Sequence, residues 1–343
     1  MRSIRYCIVG AGAIGGTLGA YMVRAGEDVV FVDRDTAHVT RMNTDGLTIR
    51  GYRETFTVSV KAYTPEDVPG PLTAVLLATK AHQTAPALTA VLDRLAPDGF
   101  VVSLQNGLCE DVIRGMVGES RTVGSFVNFS ADYLSPGLIH YGSEGALYLG
   151  ELDGKATDRI WELARAFSPW GPVHVTSNIW GYLWGKMGYA NMLFATALVD
   201  DTMANVIDRY RPLMAELAAE IYDVAARLGI RVEGFDSVEP GAFHPRGQAP
   251  GTVNASFDQM TAWQRTSEKT KSGIWRDLAV RHRATEVDAQ IGWAAKIGKD
   301  LGFAMPLTRR VVSMIHDIEA GRRAMAWENL EELDRLRKEG IRA

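Results

Sequence analysis

Cysteine is scarce, with only Cys7 and Cys109 in a chain of 343 residues. A disulfide framework is thereby excluded, the spacing offers no metal site, and both residues read as reduced thiols of an intracellular protein. Long apolar runs are missing too: no stretch of about 18 apolar residues occurs, so no membrane helix is expected. Nor does the start of the chain carry the basic and apolar regions of a secretory leader, and the expected location is cytoplasmic. Positive charge is not in excess, since 37 Lys and Arg face 41 Asp and Glu for a formal net charge of -4. Nucleic acid is therefore not an expected partner, and a small molecule is.

What is present describes an ordinary globular protein, 46% hydrophobic and 23% charged, long enough for about two domains. Short β-rich runs alternate with helical stretches in the first half, at Tyr6 to Val9, Asp28 to Val32, Ala74 to Ala78, Phe100 to Leu104 and Arg121 to Phe126. Such alternation predicts a parallel sheet with crossover helices. Residues 46–60 read as a hairpin, and 138–150 as a further pair of strands. Helical periodicity takes over from Ser177, which divides the chain into an α/β domain over 1–176 and an all-helical domain over 177–343. Within the latter, 234–266 carries Pro240, Pro245 and Pro250 with several glycines and reads as a long loop.

The first strand leads into Gly10-Ala11-Gly12-Ala13-Ile14-Gly15 at the mouth of a helix, and an acidic residue, Asp33, lies 18 positions beyond the last glycine at the end of the next strand. That context marks a dinucleotide site of Rossmann type. Gly10 serves the tight turn, Gly12 the approach of the pyrophosphate, and Gly15 the packing of helix on strand, while Ala13 and Ile14 open the helix onto the phosphates. Asp33 would accept the adenosine ribose hydroxyls of NAD and repel a 2'-phosphate, whereas Arg34 would pair with that phosphate in NADP. Asp33 tips the expectation to NAD, with NADP left open. Lys80 and Asn106 fall at the carboxyl ends of later strands, where an open α/β sheet binds ligands, and His82 sits beside Lys80.

The segments "LLATKAHQT", "VVSLQNGLCE", "SPGLIHYGSEGALYLGE", "WGKMGYAN" and "SGIWRDLAVRHRATEVD", in that order after the glycine loop, resemble the ketopantoate reductase family. The resemblance implies a two-domain architecture like that of 6-phosphogluconate dehydrogenase, with the active site in the cleft between a Rossmann half and a helical half. It also implies reduction of a 2-oxo acid by hydride from a nicotinamide, and the possibility of a homodimer. By the same resemblance Lys186 is the general acid/base, Glu286 fixes the substrate or steadies the lysine, Lys80 and Asn106 line the cofactor and substrate pocket, and Ser272 binds the substrate carboxylate. A lysine among Trp184, Met187 and Tyr189 suits proton delivery, because burial lowers its pKa. The family's asparagines one and two turns beyond the lysine are replaced by Ala190 and Phe194, leaving Asn191 as the nearby amide for the substrate. The segment 234–266 is an addition of the kind that forms lids, so the substrate is expected to differ from ketopantoate. His282, four residues before Glu286 on an expected helix, is a second acid/base candidate. An opine- or imine-type reductase and a non-catalytic NAD-binding regulator are the alternative readings.

Overall fold

The computed structural model describes residues 4–51, 53–266 and 269–340. The chain divides into two compact units, Met1–Ile179 and Trp180–Ala343.

Unit 1 is built on a ten-stranded sheet. Its strands are β1 (Tyr6–Val9), β2 (Val29–Val32), β3 (Leu47–Gly51), β4 (Glu54–Val58), β5 (Lys61–Tyr63), β6 (Leu72–Leu77), β7 (Leu95–Ser103), β8 (Thr122–Ser135), β9 (Leu138–Glu151) and β10 (His174–Val175). Its helices are α1 (Ala13–Arg24), α2 (Thr36–Asp45), α3 (Thr84–Thr89), α4 (Cys109–Val117) and α5 (Asp158–Phe167). The order β4-β3-β9-β8-β7-β6-β1-β2-β5 has a parallel core from β5 to β8. β1 and β2 are apolar throughout and buried at every residue, as strands covered on both faces must be. The side chains of β1, β2 and β6 alternate between two cores. Tyr6, Ile8, Phe31 and Leu76 meet α1 and α5 on one face, while Cys7, Val9, Val32 and Leu77 meet α3 and α4 on the other.

The hairpin expected over 46–60 is β3 paired antiparallel with β4. The stretch 138–150 is not a strand pair, however. It is the single long strand β9, laid antiparallel on an equally long β8, with irregular register between Asn128 and Ala131. Gly142 and Gly145 therefore lie inside a strand, where turns were a natural reading.

Unit 2 is helical: α6 (Ile179–Thr196), α7 (Met203–Arg209), α8 (Arg211–Arg227), α9 (Pro250–Thr266), α10 (Gly273–Ala279), α11 (Trp293–Asp300), α12 (Pro306–Glu319) and α13 (Trp327–Gly340). α8 supplies much of its core through Leu213, Leu217, Ile221, Tyr222 and Val224. Tyr222 lies over Gly188 and donates its hydroxyl hydrogen to the Gly185 carbonyl at 3.0 Å, so the small residues of α6 let the two helices come close. The expected loop over 234–266 is corrected in its second half, which is helix α9. Pro250 opens that helix at a position where no backbone N–H is needed, so it acts as a start signal and not as a breaker.

One buried acid of unit 1 has a measurable consequence. Glu110, in the first turn of α4, has no solvent exposure. Burial outweighs the help of Ser103 and the Ser125 backbone and pushes its carboxyl up to about 8. The folded protein keeps this proton to about pH 8 while the unfolded chain releases it near 4.5, so stability falls as pH rises through that window and levels off above it. Glu110→Gln keeps the shape and removes the ionisation. Its melting temperature should exceed the parent's at pH 8, with the difference shrinking toward pH 5; a difference independent of pH would contradict this account.

Candidate active site

Four parallel strands bring the glycine loop, Asp33, Lys80 and Asn106 to one edge of the sheet in unit 1. β1, β2, β6 and β7 run side by side, and these four groups follow their carboxyl ends. The connections from β1 and β6 depart in opposite directions, which makes this edge the switch point where such sheets bind ligands.

Each glycine meets a distinct demand. Gly10 has φ +95°, and a Cβ there would stand 2.8 Å from the Thr79 nitrogen. Gly12 caps α1, and a Cβ on it would meet nothing within 4 Å, so the space above it is open to a ligand. At Gly15 a Cβ would press to 2.8 Å against both Ile8 and Ala78. Ala13 and Ile14 follow Gly12 in the first turn, half-buried, where helix N–H groups are unpaired and suited to phosphate. The site thus fits a dinucleotide by shape and by donors.

Asp33 faces this loop directly. Its Oδ2 accepts from the Ala11 N–H at 2.9 Å and its Oδ1 from the Asp35 N–H at 3.0 Å. Arg34 is exposed, and with the Gln83 amide turned oxygen-outward both guanidinium nitrogens donate to it, at 3.2 and 3.1 Å. Lys80 is exposed at the start of a short helical turn that also holds the exposed His82. Asn106 is exposed as well, and Gln105 beside it is buried and ties the two loops by donating to the Thr79 carbonyl (2.9 Å) and to Thr84 Oγ1 (3.0 Å).

The second candidate centre lies in unit 2. Tyr182, Lys186, Ala190 and Leu193 form one half-buried stripe on α6, while Leu183, Trp184, Met187, Met192 and Phe194 are buried. Desolvation pulls the Lys186 ammonium down to about 8 with help from the charge of Lys269, against the opposing pull of Asp236 and Glu286. The chain before α9 is fastened to α6, with the Glu233 N–H donating to the Gly181 carbonyl at 3.0 Å. Asp236 then takes φ +46° in a tight turn closed by Phe235 and Val238. A non-glycine residue held in that region beside a desolvated lysine is the kind of strain that collects at functional sites.

Glu286 is nine-tenths buried, but not on the helix expected for it. α10 ends at Ala279, and 281–286 is irregular, with His282 exposed at φ +47°. The His282 to Glu286 spacing therefore does not place the two on one helical face, and that candidate pair is withdrawn. Instead Thr285 fixes the segment by donating its N–H and hydroxyl to Glu319 Oε1 at 2.7 and 2.8 Å. Ser272 is buried and caps α10, its Oγ accepting from the Trp275 N–H at 3.1 Å; its hydroxyl hydrogen remains for another acceptor. Asn191 is a clear correction. It has no exposure, and its Nδ2 donates to the Leu217 carbonyl and to Thr308 Oγ1, each at 2.8 Å, while Thr308 in turn donates to Glu220 at 2.6 Å. The amide belongs to the core where α6, α8 and α12 meet.

Several contributors escaped the sequence reading. His38, 1% exposed, accepts from the Gly137 N–H at Nδ1 (2.9 Å), which puts its proton on Nε2 to donate to the Ala11 carbonyl at 2.9 Å. Tyr133 donates to Asp35, the cap of α2, at 3.1 Å. Asp236, from inside the assumed loop, and Lys269 stand near Lys186, and Gln264, from the same assumed loop, donates to the buried Tyr189. Among the described residues no cluster suited to a metal occurs, and no helix is long and apolar enough to cross a membrane.

A Rossmann-type unit with a built dinucleotide loop, followed by a helical unit carrying a desolvated lysine, defines a nicotinamide-dependent oxidoreductase acting on CH–OH groups. Residues 6–154 match the ketopantoate reductase PanE/ApbA family and 178–319 its C-terminal domain, and the chain belongs to that family. The 2-dehydropantoate 2-reductases of Mesorhizobium japonicum and Pyrococcus abyssi are each 26% identical to it, over 93% and 91% of this chain and 99% and 97% of theirs. The PanE/ApbA family ketopantoate reductase structure from Ralstonia eutropha superposes with a TM-score of 0.78 at 24% identity, covering 93% of this chain and 99% of that one. A ternary structure of D-mandelate dehydrogenase with NADH and anilino(oxo)acetate gives the same TM-score and coverage at 22% identity.

The relocation of Asn191 predicts a stability phenotype. Asn191→Ala should cost about 1–3 kcal/mol in denaturant unfolding, because Thr308 and the Leu217 carbonyl lose a buried partner. The KM for substrate should stay within about twofold of the parent's.

Proposed function

We propose that this protein reduces a small 2-oxo acid to the 2-hydroxy acid, with Lys186 as proton donor and NADH as preferred cofactor. The observation that carries this reading is the half-buried Lys186 set among Asp236, Glu286 and Lys269. When bound, the nicotinamide supplies the hydride.

The protein's part is to hold the carbonyl and answer the charge that develops on it. The Lys186 ammonium donates to the carbonyl oxygen and passes its proton to the alkoxide as that forms. A pKa near 8 suits the task, for the group stays protonated at neutral pH yet gives up the proton readily. Asp236 and Glu286 keep the lysine from losing its charge altogether. Lys269 adds a second positive charge, matched to the carboxylate of a 2-oxo acid, and the remaining Ser272 hydroxyl hydrogen is a further donor for it.

The preference for NADH rests on Asp33. Two backbone N–H groups hold its carboxylate in place beside the loop, where it favours ribose hydroxyls and opposes a 2'-phosphate. Arg34 is turned to the Gln83 amide. D-mandelate dehydrogenase, of similar fold, has been captured with NADH.

Two measurements test the reading. Lys186→Ala should lower kcat by about 10² to 10⁴-fold with the cofactor still binding, and the parent's reduction rate should fall as pH rises through about 8, where the ammonium is lost. Near-normal turnover in the variant would overturn the role. Asp33→Ala should move the kcat/KM ratio toward NADPH by about tenfold or more, the loss of one charged repulsion. An unchanged ratio would count against the assignment of NADH.

A further inference from the structure

We infer that His38 is a positioning residue for the pyrophosphate end of the cofactor site, and that the turn between β8 and β9 belongs to that site through it. The inference rests on the dinucleotide loop and is independent of the substrate and of the choice between NADH and NADPH. His38 lies in the first turn of α2, where the Asp35 cap accepts its N–H at 3.2 Å. The residue is 1% exposed, and both ring nitrogens engage backbone. Nε2 donates to the Ala11 carbonyl at 2.9 Å, and Nδ1 accepts from the Gly137 N–H at 2.9 Å. Tyr133 packs its ring edge-on against the imidazole at 5.0 Å.

The Ala11 carbonyl matters because of the peptide it belongs to. A trans peptide is planar and carries its C=O and N–H on opposite sides, so fixing the Ala11 carbonyl on His38 turns the Gly12 N–H away from the imidazole. Gly12 caps α1 beside open space, at a helix N-terminus suited to phosphate. The preceding peptide is pinned as well, by the Ala11 N–H donating to Asp33 Oδ2 at 2.9 Å. A glycine at position 12 resists rotation little on its own, so without the imidazole the 11–12 peptide would be able to turn its carbonyl oxygen toward the phosphates. His38 is set in turn by Gly137, which has φ +76°. The Gly137 carbonyl accepts from the Thr48 N–H of β3 at 2.9 Å, and a Cβ on this glycine would stand 2.6 Å from Arg41 Cγ of α2. The turn is thus held close against α2, and its N–H selects the tautomer that donates to Ala11. The two backbone groups require a neutral side chain with one acceptor and one donor, which the imidazole supplies across a single carbon.

The test titrates NADH and NADPH into cofactor-free protein by calorimetry and follows hydrogen exchange on peptides containing Ala11, Gly137, β6 and β7. His38→Leu removes both bonds and should weaken the better-bound cofactor by about tenfold or more, the value of a buried hydrogen bond. Exchange should quicken at Ala11 and Gly137 while β6 and β7 stay as in the parent. His38→Gln also carries a donor and an acceptor across one carbon, and should return the affinity to within about threefold of the parent's. An unchanged affinity in His38→Leu would overturn the inference. So would equal weakening in the two variants, or faster exchange throughout β6 and β7, either of which would make His38 a packing residue only.

Discussion

Keeping an ammonium away from water is the constraint around which unit 2 is arranged. Lys186 is desolvated enough for its pKa to fall to about 8, and a cation in that state persists only where fixed negative charge stands close by. The surrounding chain supplies it from two directions. The segment after α8 is fastened to α6 through Glu233 and Gly181 and bends sharply so that Asp236 comes near. The segment after α10 abandons regular structure, and the Thr285 bonds to Glu319 hold Glu286 in its nine-tenths buried place. Both carboxylates thus stand on irregular stretches and not on the helices that precede them.

In unit 1 the corresponding constraint is steric. The glycine loop must leave open space above Gly12 while α1 lies almost against β1, and the missing side chains at Gly10 and Gly15 permit both. Side chains then brace what the glycines make possible. Asp33 holds the Ala11 N–H and His38 its carbonyl, so a residue at the loop's turn has both of its backbone polar groups satisfied by buried or half-buried partners. The loop can therefore hold its shape before any ligand arrives, which reduces the ordering cost of binding.

How much of this was legible depends on how far apart the interacting residues lie. The glycine loop, Asp33 and the alternating strands could be read directly, because a βαβ unit encodes its geometry within about thirty residues. The helical character of the second unit was equally plain. Asn191 was misassigned because counting along a helix fixes a direction but not the neighbour found there, and α8 and α12 are supplied by residues 26 and 117 positions away. The stretch containing α9 was misread because three prolines and their glycines suggested breaks, although Pro250 stands where a proline starts a helix. Asp236 had a weak local signal, an aspartate among turn formers, and nothing near it in sequence named Lys186 as its neighbour.

The two misreadings are connected in a way that bears on the substrate. Family resemblance directs attention to α6 beyond the lysine, where Ala190 and Phe194 stand in place of amides, and on that helix alone the site looks poorer in hydrogen-bonding groups. Phe194 is fully buried and Ala190 contributes only a methyl. Yet an amide is still present in this region, carried by α9 and joined to α6 through Tyr189. In this part of unit 2 the buried amide thus stands on α9 against Tyr189, while the α6 positions Ala190 and Phe194 are apolar.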